Sequence, residues 1–147
     1  MNHSRVKETL NTCSSEALSH VFREKRNRGA VFTVRSKKTG KDYSYKIARK
    51  EYLGKWYTHV FVEVGYLNFI HLGTYLQGAI WKGGKKLETP SVVAIAWCLK
   101  QVENKKFKEM DEQVETFHMG ACLVCGRPLT DAVSLTYGVG PVCRGAQ

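Results

Sequence analysis

Three cysteines and a histidine near the end of the chain have the types and spacing to hold a metal ion: His118, then Cys122 after three residues, Cys125 after two more, and Cys143 after a further seventeen. Two residues between thiolates allow a tight turn to place both sulfurs on one ion, with backbone N–H groups aimed at them. Gly126 directly follows the pair and suits such a turn, because glycine tolerates positive φ. Cys143 follows Gly138-Val139-Gly140-Pro141 and is the natural third ligand. His118 is the nearest candidate for the fourth, with Cys98 and Asp131 as rivals. Four N and S ligands fill a tetrahedral ion and leave no position for substrate, so the expected ion is a structural Zn2+. A redox role for the pair is the alternative, but no βαβ pattern surrounds it.

No other residues read as catalytic. His20, His59 and His71 have no acid or nucleophile paired with them in sequence. Gly83-Gly84-Lys85 is too short for a phosphate loop and opens no helix. The chain is therefore read as a binding protein and not an enzyme. The five cysteines are an odd number, and the polar start MNHSRVKETLN has no apolar core of a signal peptide. A disulfide framework is not expected. No apolar run is long enough to span a membrane, so a cytoplasmic protein is expected.

The net charge of +10 is unevenly placed. Between Arg23 and Lys50 stand eleven Lys or Arg against two acids, Glu24 and Asp42. The binding candidates in that segment are Arg23, Arg26, Arg28, Arg35, Lys37, Lys38, Lys41 and Lys46. Such a patch favours polyanions, DNA or RNA first and an acidic protein surface second; a plain solvated surface is the third reading. Tyr43, Tyr45, Trp56 and Tyr57 can stack on bases or line a core.

These groups need elements to position them. Ser14 or Ser15 caps a predicted helix running to about Arg26, with Ala17, Leu18, Val21 and Phe22 on one face. Val31–Ser36 and Asp42–Ala48 alternate about a Gly40 turn and predict a hairpin. Trp56–Val64, Phe69–Leu76 and Ala79–Trp81 follow as strands. Gly73 inside the fourth marks a bulge or a close backbone approach. Thr89 and Pro90 open a second helix whose apolar face is Val92, Ile95, Ala96, Leu99 and Val102. The expected fold is α+β: an antiparallel sheet of four to five strands packed by two helices, spanning residues 1–110, with a zinc-knuckle module at 114–147.

The run His118-x-Gly120-x-Cys122-x-x-Cys125-Gly126-Arg127-x-Leu129-Thr130-Asp131-x-x-Ser134, closing on Gly138-x-Gly140-Pro141-x-Cys143, resembles a zinc motif at the C-terminus of small phage and bacterial proteins that form a family of unknown function. Weaker likeness extends upstream through Phe32-Thr33-Val34, Leu72-Gly73-Thr74 and Ser91-x-x-Ala94-x-x-Trp97. Family members carry a histidine at the place of His118, which the resemblance implies is a ligand. Ala132 departs from the pattern, where proline is usual. The resemblance implies a zinc module and a phage origin, and it implies no activity.

Two functions follow as expectations. The first is nucleic-acid binding through the basic segment. The second is a phage inhibitor that binds a host protein of defence or transcription through the same basic face, in the host cytoplasm. Nothing in the sequence fixes an oligomeric state.

Overall fold

A computed structural model describes residues 11–22 and 29–145. The chain is α+β. Its strands are β1 (Asn11–Cys13), β2 (Ala30–Ser36), β3 (Asp42–Tyr52), β4 (Lys55–Gly65), β5 (Asn68–Leu76), β6 (Ala79–Lys82), β7 (Lys85–Lys86) and β8 (Val114–His118). They form one antiparallel sheet in the order β1-β8-β2-β3-β4-β5-β6-β7. A 3-10 helix (Ser15–Phe22) follows β1; α1 (Pro90–Glu103) and α2 (Phe107–Gln113) precede β8, and α3 (Ala132–Tyr137) follows it.

Among the described residues the sheet has eight strands instead of the four or five expected. The three additional strands, β1, β7 and β8, are short, and no run of apolar alternation marks them. β8 lies between β1 and β2, with Thr116 paired to both Cys13 and Val34. The start of the segment assigned to the C-terminal module is therefore an inner strand of the sheet.

Alternation puts Phe32, Val34, Tyr45, Ile47, Val60, Tyr75 and Ile80 on one face. The 3-10 helix packs Leu18 and Val21 there, α1 adds Val92, Ile95, Leu99 and Val102, and α2 adds Met110. Fully burying one such side chain contributes about 1.5–3 kcal/mol, so this layer supplies most of the cohesion. Pro90 starts α1 as expected, although the Thr89 side chain makes no capping bond. Tyr45 is wholly buried and donates its hydroxyl to Ser91 O at 2.6 Å, locking α1 to the sheet. Tyr43 packs at the edge of the same core. The Tyr45 ring is not free to stack on a base.

β5 carries a bulge. Val60 pairs with Gly73, but Phe61 pairs with His71, so Leu72 is an extra residue. A Cβ on Gly73 would lie 2.5 Å from Trp81 O and 2.9 Å from Ile80 Cγ2, so the close approach of β6 requires glycine. The bulge reverses the alternation of β5. It turns Phe69 and His71 to the face opposite the helices, where unbroken pairing would have put Ile70 and Leu72.

Candidate functional site

The cysteine centre is built from two loops that meet beyond β8. The first runs from Ala121 to Pro128, which bridge one another. It closes through Cys122 N–H to Arg127 O at 2.8 Å and Gly126 N–H to Cys122 O at 2.9 Å. Gly126 has φ 77°, as the turn requires. The second loop follows α3. Asp131 caps that helix by accepting from Ser134 N–H at 2.9 Å, and Gly138 ends it at φ 73°. Leu123 N–H donates to Gly138 O at 3.0 Å and joins the two loops. Arg144 clamps the second by donating to Val139 O at 2.7 Å and Ser134 Oγ at 2.9 Å.

This arrangement brings the sulfurs of Cys122, Cys125 and Cys143 within 4.8 Å of one another. No disulfide joins them. Tetrahedral thiolates about 2.3 Å from one ion lie roughly 3.8 Å apart, so the cluster matches a metal's needs. The amide N–H groups of Val124 and Gly140 both donate to Cys122 Sγ at 3.4 Å. Burial opposes ionisation of Cys122, yet these N–H groups outweigh it and hold the thiol below its ordinary value. Cys143 is pushed up to about 11, first by burial and then by the neighbouring thiols. Three thiols this close resist ionising together unless a cation is present. The donor set thus fits a bound metal ion.

His118 is placed differently from the sequence expectation. It lies outside the three-cysteine cluster. Its Nε2–H donates to Leu135 O at 2.6 Å, and its Nδ1 accepts from Gly120 N–H at 3.0 Å. Both nitrogens are engaged by backbone, which fixes the tautomer and leaves no lone pair for an ion. The ring is wholly buried and packs against the Cα of Gly138, where a Cβ would approach His118 Cδ2 to 3.1 Å. It ties the end of β8 to α3 as a structural residue. The rivals are also elsewhere. Cys98 is buried on α1, where burial raises its thiol to about 12, and Asp131 is the α3 cap. Among the described residues the cluster has three donors.

The predicted basic residues that the structure describes are placed differently from one another. Arg23, Arg26 and Arg28 lie outside the described residues. Arg35 is paired with Glu115, its Nη2 and Nε donating to Oε1 at 2.7 and 3.1 Å, with its guanidinium 5.5 Å from the Phe117 ring centroid. Lys37, Lys38 and Lys41 are exposed about the β2–β3 turn. Arg35 and Lys46 stand on the face away from the helices.

That face holds residues that sequence reasoning missed. Lys46 Nζ sits 4.9 Å over the Phe61 ring and 5.8 Å from that of Phe69. Phe61 meets His71 edge-on at 5.2 Å. His59 Nδ1 and His71 Nε2 are 3.2 Å apart. Burial and then nearby positive groups lower both histidines, with Lys50 acting on both and Lys82 on His71. The rings are therefore neutral at pH 7. The next row runs Ala48–His59–Thr74–Trp81 across four strands, with Trp81 39% exposed. None of these rings joins the core cluster. The acids on this face are engaged: Glu63 accepts from Leu67 N–H at 2.8 Å, Glu115 holds Arg35, and Asp42, opposite Arg35 in the register, is also partnered. The signal that could have exposed this face was Gly73. A bulge placed there shifts the alternation of everything before it in β5.

Residues 114–146 match the model of a family of unknown function, DUF6011. No curated protein and no solved structure matches the chain. Among the described residues, no helix is long and apolar enough to cross a membrane.

Proposed function

We propose that the chain is a nucleic-acid-binding protein whose C-terminal module is held by one structural Zn2+ on Cys122, Cys125 and Cys143. The observation that carries the binding reading is the sheet face on which Lys46 lies over Phe61 and Phe69 while Asp42, Glu63 and Glu115 are already engaged. Cations supply affinity for a phosphate backbone, and exposed rings supply surfaces for bases. An acidic protein partner, as in the host-inhibitor reading, would use the lysines equally but would not need the rings. Zinc is favoured over other ions because clustered thiolates select it, and the three cysteines leave one position of a tetrahedral ion to a fourth donor that the described residues do not supply. Reduced thiols are the state kept in a cytoplasm, and the phage setting rests on the motif's resemblance alone.

Fluorescence anisotropy with labelled DNA and RNA across a salt series tests the binding reading. Log affinity should fall linearly with log salt for at least one of them. Absence of binding to every oligonucleotide at low salt overturns it.

A further inference from the structure

We infer that the β3–β6 face selects single-stranded nucleic acid, with bases stacking on Phe61, His71 and Trp81 and phosphates held by Lys46, Lys50 and Lys82. This rests on the nucleic-acid reading and narrows it to a strand class. A duplex hides the faces of its bases inside its own stack and offers a protein phosphates and groove edges. Rings are useless to it unless they are wedged between base steps. A single strand exposes every base face, so a sheet that presents rings side by side with cations is matched to it.

The placement of these groups is consistent with that division of labour. Phe61 and His71 are cross-strand partners, and Trp81 lies on the same face two strands from His59. Same-face neighbours along a strand are about 6.6 Å apart and adjacent strands about 4.8 Å, so the rings form a grid and not one isolated contact. Lys46 lies over the Phe61 ring, and Lys82 Nζ donates to His71 O at 3.3 Å. Their charges stand beside the rings, where a strand's backbone would run when its bases lie on the sheet. The histidines are uncharged at neutral pH and add flat aromatic surface without a competing hydration shell. The bulge at Leu72 brings His71 instead of a leucine to this face.

The test compares a labelled single-stranded oligonucleotide with the blunt duplex of the same sequence, using the full chain. The single strand should bind at least about tenfold more tightly, and intrinsic tryptophan fluorescence should be quenched as it binds. Trp81→Ala should weaken single-strand binding by about 5- to 150-fold, the range for loss of one stacked base. Lys46→Gln should reduce the salt slope for the single strand by about 0.7. Circular dichroism checks that both variants keep the wild-type fold. Equal affinity for duplex and single strand overturns this inference and leaves the nucleic-acid reading standing. Failure of both to bind overturns both. A single-strand preference unaffected by Trp81→Ala and Lys46→Gln overturns the assignment to this face.

Discussion

The cysteine module and the uncovered sheet face are the two chemically distinctive regions of the molecule, and they are made in opposite ways. In the module, ligands and supporting groups lie close in sequence. The thiols of Cys122 and Cys125 are placed by one turn, and the N–H groups that stabilise the Cys122 sulfur come from Val124 and Gly140, next to the turn and beside Cys143. In the sheet face, Lys46, Phe61, His71 and Trp81 come from four strands and meet only through register. One region turns its polar groups inward on a small site. The other turns rings and cations outward. A change in the module should therefore act through folding, and a change on the face should act through binding.

The largest effect should come from the module. Cys143→Ser removes a ligand from a site whose binding energy is, by the example of small zinc peptides, on the order of 10–16 kcal/mol. Purified Cys143→Ser protein should lose stoichiometric zinc by elemental analysis and show a lower unfolding midpoint. A ratio that stays at one zinc per chain would rule Cys143 out as a ligand. The face depends most on Gly73. Gly73→Ala forces a methyl group against Trp81 O at 2.5 Å, a contact that backbone cannot yield cheaply. A loss of about 1–3 kcal/mol is expected, as for overpacked sites, with the zinc content unchanged. Denaturant unfolding measures the first and elemental analysis the second. Loss of zinc in Gly73→Ala would break the separation between the two regions.

The same contrast explains what the sequence could tell. The three cysteines were legible because a metal turn is local, and the spacing of Cys122 and Cys125 carries its geometry within a few residues. The hairpin of β2 and β3 and helix α1 were legible because alternation and capping residues are also local. β8 was not, because Val114–His118 gains its strand character by pairing with β1 and β2 from far away in sequence. His118 was misread for a related reason. Its spacing suits a ligand, but its partners Leu135 O and Gly120 N are backbone groups, which no residue type announces. Arg35 counted toward a basic patch until Glu115 was found across the β2–β8 pairing. The rings of β5 were hidden by a one-residue bulge that inverts their side.

A middle-sized effect distinguishes the structural role of His118 from a ligand role. His118→Gln keeps an amide donor for Leu135 O but cannot also accept from Gly120 N–H, and loss of one buried hydrogen bond costs about 1–3 kcal/mol. Zinc should remain at one per chain. The variant should also change the response to acid. Burial lowers the His118 pKa below its ordinary 6.5 in the folded chain. The unfolded chain takes up that proton first, so the histidine's contribution is complete above pH 6.5 and declines as pH falls below it. Unfolding midpoints of the wild type and His118→Gln should differ most above pH 6.5 and converge on acidification. A gap that widens instead would mean that His118 is protonated in the fold.

The smallest effect should come from Arg35→Ala. Arg35 belongs by sequence to the basic segment and by structure to an ion pair with Glu115 whose side chains are 33% and 34% exposed. Partly exposed pairs contribute about 0–1 kcal/mol, so stability should shift little. Binding is the sharper readout. If Arg35 served a phosphate, the salt slope for a bound single strand would drop by about 0.7. If its charge is spent on Glu115, the slope should hold, whereas Lys46→Gln lowers it. Equal slope losses in Arg35→Ala and Lys46→Gln would show that charge in the segment acts collectively and that the face has no special place in binding.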